Sequence, residues 1–494
     1  MPINLFDAFV SDQNTTYTLN GQAAFATTTN PLLDFFSLGG AMRQRSEQDI
    51  INMFQKAYEA DPTPALRLLF YFRDIRGGQG ERRLLRTLLK WIANNDKQGA
   101  VSVIPFVPHL GRFDDLFVLF DTPAEGEMVS FVKNQLEEDI RSEHVSLLAK
   151  WMPSTNTSSP TTRQLASKMR KALGYKQNSD YMKTLVMLRK KINILETQMS
   201  SNKWSEIEYD KIPSRAGLKY RTAFHRHDEE RYVAFLEQVK SGEKRVKATT
   251  LYPYDISMNV RSIIKGYADK TEADLYNALW KELPNYVPEG SNTLVMADIS
   301  ESMNATYYGN VAPIDVALSL AVYTAERNTG FFQDAFMTYS DDPQFLMLQG
   351  NTFVERMEYV FGQTKHYGST NVYGAFRKVL DLAIQNSLPQ EQLPTSIMVI
   401  SDMQFNQSTS GSEKLITLLK REYDAAGYTL PVLIFWNVNA STDQFPTVDK
   451  ERNTLAISGA SPSILKSTLS GKFTTPVDLM NDVINNPRYA EIHR

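Results

Sequence analysis

The stretch "TLVMADISESMN", residues 293–304, runs apolar side chains into a cluster of oxygen-bearing ones. Leu294, Val295 and Met296 are apolar on consecutive positions, so both faces of the strand they form need cover, as in a parallel sheet clad with helices. Asp298, Ser300 and Ser302 follow at every second position. In such sheets ligands bind beyond the carboxyl ends of the strands, which is where these three side chains fall.

The same pattern continues to the end of the chain. Strand-like runs "FFQDAFMTYS" (331–340), "QFLMLQ" (344–349), "TSIMVIS" (395–401), "LPVLIFWNV" (430–438) and "TLAIS" (454–458) alternate with helical stretches such as "PIDVALSLAVYTAERN" (313–328) and "NVYGAFRKVLDLAIQN" (371–386). This alternation predicts a mainly parallel, doubly wound α/β domain over 286–494. Asp-x-Ser-x-Ser alone is close to a chance-level pattern. It gains meaning from its company, because Thr370 sits in a Gly-containing loop before a helix and Asp402 at the end of another buried strand.

With no cysteine and six histidines, thiolate chemistry and sulfur-ligated zinc are excluded, and any metal should be a hard cation held by oxygen. Two serine and one threonine hydroxyls, with two aspartates placed to hold waters, suit Mg²⁺ or another hard divalent cation. Neutral hydroxyl ligands leave the ion electrophilic, so a partner's carboxylate or phosphate can complete it. "DISESM", Thr370 and "SDMQF" resemble the metal-ion-dependent adhesion site of von Willebrand factor A domains. The resemblance implies that Ser300, Ser302 and Thr370 ligate the ion directly and that Asp298 and Asp402 act through water.

The preceding 255 residues, 31–285, read as an all-helical array, with stacked HEAT-like pairs as the suggested arrangement. "EQDIINMFQKAYEA" places Ile50, Phe54, Ala57 and Tyr58 on one face, and "ERRLLRTLLKWIANN" does so with Leu85, Leu88, Leu89 and Ile92. Further helical runs fall near 62–74, 112–120, 125–148, 161–173 and 228–241. "YMKTLVMLRKKINILETQM" (181–199) predicts one long helix with a single apolar seam, for a core or a coiled-coil partner. Residues 1–30 are polar and Thr/Asn-rich without a sustained period, and are expected to form an extended arm.

Charge is uneven along the chain. The net charge is −3, yet residues 151–250 hold 20 Lys and Arg against 10 Asp and Glu, either a polyanion surface or solvated helical faces. Gly77, Gly78 and Gly80 invite a phosphate-loop reading that fails, since Glu81 and Arg82 follow where Lys-Ser/Thr is required. They turn one helix into the next instead. Arg73, Arg76, Arg82, Arg83 and Arg86 bracket that turn, as a phosphate-facing ridge or a solvated face.

Lys168, Arg170 and Lys171 share one helix, while Arg215, Lys219, Arg221 and Arg226 interleave with Tyr220, Phe224 and Tyr232, of which Phe224 and Tyr232 are spaced as core. Basic groups supply salt-sensitive phosphate contacts, and aromatic planes stack unpaired bases. Candidate nucleic-acid contacts, which the resemblance named below makes candidate RNA contacts, are Arg76, Arg82, Arg83, Lys168, Arg170, Lys171, Arg215, Lys219, Arg221 and Arg226. His225 and His227 lack a third ligand and read as surface residues.

A helical array followed by such an A domain resembles the Ro ribonucleoprotein (TROVE) family, which implies binding of structured RNAs and single-stranded RNA ends. "LRLLFYFRDIRGGQGERR", "GRFDDL", "KWMPSTNTSS" and "LYPYDI" more closely resemble an uncharacterised family of phage, bacterial and fungal proteins with the same two-part layout. The resulting expectation is a non-enzymatic RNA-binding protein whose metal site closes the structure or recruits a protein partner. The alternative is a protein-interaction scaffold that captures an acidic side chain at the metal. A metal-dependent hydrolase is disfavoured by the lack of an evident general base. With 42% hydrophobic residues and no run of about 20 apolar ones, no membrane span is expected. The expected address is cytosolic, the host cytoplasm for a phage-borne gene.

Overall fold

The computed structural model describes residues 13–267, 272–305, 311–364, 368–408 and 413–494. An all-helical region is followed by a mixed α/β sheet domain.

The helices start where the sequence supplies caps. Asn30 Oδ1 accepts from the backbone N–H groups of Leu32 and Leu33 to open helix Pro31–Gly39. Ser46 and Asp61 do the same for Glu47–Ala60 and Pro62–Arg73. In the glycine turn after Arg73, a Cβ on Gly78 would meet the Tyr71 carbonyl oxygen at 1.8 Å, and Gly80 has φ +72°. The turn reading therefore holds, since only glycine admits both the close approach and the left-handed backbone.

Three expectations are corrected. The long helix over 181–199 is two helices, Asn178–Ile192 and Leu195–Ser200, because Asn193 takes a left-handed conformation (φ 53°) that ends the first. Its seam residues Leu185 and Leu188 are buried in the core. The helical run expected near 112–120 is present as the 3₁₀ helix Phe113–Leu119, whereas the one expected over 125–148 stops at Arg141, before a short helix Leu148–Trp151. The described part of the arm, residues 13–30, is a hairpin and not a plain extended segment: strands β1 (Thr15–Tyr17) and β2 (Ala23–Phe25) pair antiparallel and lie on the α/β domain, while residues 1–12 lie outside the described residues.

The six-stranded sheet contains β3 (Thr293–Asp298), β4 (Ala335–Tyr339), β5 (Gln344–Met347), β6 (Ser396–Ser401), β7 (Val432–Asn437) and β8 (Thr454–Ser458), in the order β5-β4-β3-β6-β7-β8. All neighbours are parallel except β4 and β5. Alternate residues serve two cores. Val295, Ala297, Met398, Ile400, Ile434 and Trp436 join the core shared with helix Pro313–Arg327 and the helical region. Leu294, Met296, Ile397, Val399, Leu433 and Phe435 join one with helices Val372–Gln385 and Leu415–Ala425. Strand order reverses between β3 and β6, so the carboxyl ends of these two strands flank the crevice where such sheets bind ligands.

Both ends of the helical region meet the sheet domain. At its start, Gly40 N–H donates to Ser458 Oγ on β8 at 3.0 Å. At its end, Trp280 stacks on Phe353 with centroids 3.7 Å apart, and Arg261 donates to Asp315 at 2.5 Å. The start and end also touch each other, with the Arg43 guanidinium 5.8 Å from the Tyr254 ring centroid.

Candidate metal centre and basic cleft

Asp298 is the last residue of β3 and Asp402 the first after β6, so adjacent parallel strands deliver two carboxylates to one edge. Both are buried. Asp298 Oδ1 accepts from Ser300 N–H at 2.8 Å and Oδ2 from Ser401 Oγ at 2.6 Å. Ser300 Oγ and Ser302 Oγ lie 3.3 Å apart, and Ser302 reaches Asp402. The Thr370 loop locks in from the side: Thr370 N–H donates to Asn406 Oδ1 at 3.1 Å, Asn406 N–H to Thr370 O at 2.9 Å, and Glu301 N–H to Gly368 O at 3.1 Å. The structure thus brings the elements carrying all five predicted metal-site residues to one sheet edge.

Burial, followed by the charge of Asp402, raises the Asp298 carboxyl to about pKa 7. Burial likewise raises Asp402. Two carboxylates held together out of water repel each other, and a divalent cation offsets both the desolvation and the repulsion. Among the described residues no cluster of three or more His, Asp or Glu side chains is placed to hold a metal. A cation here therefore needs the hydroxyls of Ser300, Ser302 and Thr370, and a hydroxyl-rich oxygen set fits Mg²⁺ better than a transition metal.

Sequence reasoning missed three groups. Ser401 orients Asp298. Tyr339, fully buried at the end of β4, is held neutral by burial and by Asp298, and its hydroxyl makes no well-formed hydrogen bond among the described residues. Asn20 of the arm directs Nδ2 to the Gln404 carbonyl at 2.6 Å and to Thr370 Oγ1 at 3.5 Å. The "SD" of "VISDMQF" was a signal for Ser401. Nothing in the arm's composition signalled Asn20.

The basic candidates separate. Arg215, Lys219 and Arg221 line a cleft of about 920 Å³ between helices Ser214–His227 and Pro253–Ile264, which also holds Arg261, Lys265, Tyr254 and Tyr267. Tyr267 is 83% exposed. Five cationic side chains face two carboxylates, Asp255 and Asp315, across the lining. Arg215 pairs with Asp255 at 2.9 Å, Arg221 with Glu272 at 2.9 Å and Arg261 with Asp315 at 2.5 Å. Lys219 donates to the Tyr220 hydroxyl at 3.0 Å and lies 4.6 Å from that ring's centroid, and among the described residues neither Lys219 nor Lys265 forms an ion pair with a carboxylate.

The other candidates lie outside this cleft. Arg82 pairs with Asp114 and Asp115, as do Arg86 and, through Asp115, Arg73, so the two carboxylates of "GRFDDL" hold the arginine ridge in place and offset only part of its charge. Arg83 donates to the carbonyls of Arg43 and Arg45. Lys168 pairs with Asp121, and Arg170 donates to the Tyr175 and Lys176 carbonyls. Arg76, Lys171 and Arg226 are exposed. His227 stacks on Trp204, while His225 sits edge-on to Tyr232. Phe224 and Tyr232 are buried, as their spacing predicted.

Fold and site together define a two-part protein, a helical region joined to an α/β domain with an oxygen-lined site at the sheet's switch point. The chain belongs to the family described as "Domain of unknown function (DUF2828)", matched over residues 18–108 and 127–291. Residues 292–487 match a second description, "Domain of unknown function (DUF7788)". An uncharacterized protein of Acanthamoeba polyphaga mimivirus is 26% identical over 95% of this chain and 87% of its own length. The crystal structure of the Deinococcus radiodurans Ro (Rsr) protein aligns over 90% of this chain and all of its own, with TM-score 0.44 and 14% identity. No helix among the described residues is long and apolar enough to cross a membrane.

Proposed function

We propose that this chain is a non-enzymatic, Ro-like RNA-binding protein that grips structured or single-stranded RNA in the basic cleft, with a von Willebrand factor A-like domain whose Mg²⁺ closes the structure or recruits a second partner. The observation that carries the reading is the cleft itself. It has an excess of cationic over acidic side chains, two lysines without carboxylate partners among the described residues, and an exposed Tyr267 ring suited to stacking on a base. The sheet order and the pairing of Asp298 and Asp402 under two serine hydroxyls support the A-domain part.

Binding of a labelled single-stranded RNA, followed by anisotropy against salt, tests the proposal. Replacing Lys219 and Lys265 by Gln is expected to weaken binding and to lower the salt slope by about 1 for each phosphate that is no longer neutralised. Absence of RNA affinity at low salt would sink the reading.

The part-exposed Ser302 favours a second reading, in which a carboxylate from another protein reaches a cation from the Ser302 side. A partner lost with EDTA and with Asp298→Ala, for a protein that binds no RNA, selects that alternative. RNA incubated with protein and Mg²⁺ is expected to stay intact. Cleavage abolished by Asp402→Ala would make the protein a hydrolase.

A further inference from the structure

We infer that the N-terminal hairpin is a clamp on the cation site, in which the turn Thr18–Gln22 holds the Asp402 loop in its ion-binding shape and Asn20 is the positioning residue. The clamp presupposes the cation reading above. It makes arm docking and cation binding linked events, although the two segments lie nearly four hundred residues apart in sequence.

The loop after β6 is strained. Met403, directly after Asp402, has φ 64°, a left-handed backbone that a bulky side chain rarely adopts and that persists only when its surroundings hold it. Inside the loop, Met403 N–H donates to Ser401 Oγ at 2.9 Å and Gln404 N–H to Asp402 Oδ1 at 3.2 Å. Much of the remaining support comes from the arm. Thr18 Oγ1 donates to the Phe405 carbonyl at 2.6 Å, and Leu19 N–H donates to Gln404 Oε1 at 2.9 Å. Gln407 N–H donates to Asn20 O at 3.1 Å, and Ser408 donates to Gln22 Oε1 through N–H at 2.9 Å and Oγ at 2.6 Å.

Among the described residues, Asn20 is the turn residue whose side chain reaches both loops of the site, donating to the Gln404 carbonyl at 2.6 Å and lying 3.5 Å from Thr370 Oγ1. Its amide is anchored on the Asp402 side and packs against the Thr370 side, the two walls that a small cation with tight bond lengths requires in register. Linkage then works in both directions, so an ion that needs the clamped loop also holds the arm down.

Mn²⁺ binding to the full chain, measured by calorimetry, tests the clamp together with hydrogen exchange of the amides of Leu19, Gln22 and Gln407 with and without Mg²⁺. Asn20→Ala is expected to weaken Mn²⁺ on the order of tenfold. In the native protein, Mg²⁺ is expected to slow exchange across the turn. Equal Mn²⁺ affinity in Asn20→Ala overturns the clamp, and tighter binding shows instead that the turn covers the site. If Asn20→Ala melts below the native protein in EDTA, the exchange measurement on the native chain decides, and exchange indifferent to Mg²⁺ overturns the inference. A native protein that binds no Mn²⁺ refutes the cation reading itself, a result distinct from failure of the clamp.

Discussion

Asp298 carries the sharpest consequence at the scale of single residues. Its folded carboxyl is raised to about pKa 7 by burial and by Asp402, above the unfolded value of 3.8. Without a cation, the folded state therefore holds the proton more tightly, and this group's contribution to stability is lost as pH rises from about 4 through about 7. A divalent cation favours the ionised pair and reverses that loss. Thermal melts are expected to show Mg²⁺ stabilisation that grows with pH over this range and is absent in Asp298→Asn. Tyr339 offers a second check, because among the described residues its buried hydroxyl makes no well-formed hydrogen bond. Tyr339→Phe is expected to stabilise the cation-free protein by about 1 kcal/mol in urea unfolding.

Turns and caps govern the elements. The glycine turn between helices Pro62–Arg73 and Arg82–Asn95 leaves no room at Gly78, where a Cβ would collide with the Tyr71 carbonyl. Gly78→Ala is expected to cost about 3 kcal/mol or more in denaturant unfolding, since backbone must move to admit the methyl. Three of the sequence passages act as structural nodes. Arg112 of "GRFDDL" lies 3.7 Å above the Trp151 ring of "KWMPSTNTSS". Tyr252 N–H of "LYPYDI" donates to Asp255, which holds Arg215 at the edge of the cleft. Such motifs build the walls on which the charged surface is mounted.

Across the whole molecule, the chain leaves the sheet domain at its first helix, returns at helices Pro253–Ile264 and Ala273–Lys281, and is closed again by its last residues. Arg488 pairs with the buried Asp74, Tyr489 donates to the same carboxylate at 3.1 Å, and Arg494 pairs with Asp96. Asp74→Ala leaves Arg488 and the buried Tyr489 without their acceptor. It is expected to destabilise the protein by about 2–3 kcal/mol in urea unfolding. Arg261 and Asp315 join the cleft to the sheet domain, so RNA phosphates that compete for Arg261 would report on that junction.

Much of the architecture was legible in the sequence because it follows from local pattern. Runs apolar on both faces marked buried strands, three-and-four spacing marked helices, and oxygen side chains after β3 and β6 marked the switch-point edge. Helix ends were less legible, because Asn193 breaks its helix through a backbone conformation that the apolar seam does not encode. Charge was least legible. Arg82 and Lys168 carry the same formal charge as Lys219, yet each is paired to a carboxylate from a distant position, Asp114 and Asp121. By itself the sequence determined the two-part layout, since helical and strand-like spacing are local patterns, and it placed candidate oxygen ligands after β3 and β6 and in the Thr370 loop. Only the tertiary structure decided which cations face a common cleft and that Asn20 reaches Thr370. Those outcomes depend on contacts between segments far apart in the chain, which no local pattern specifies.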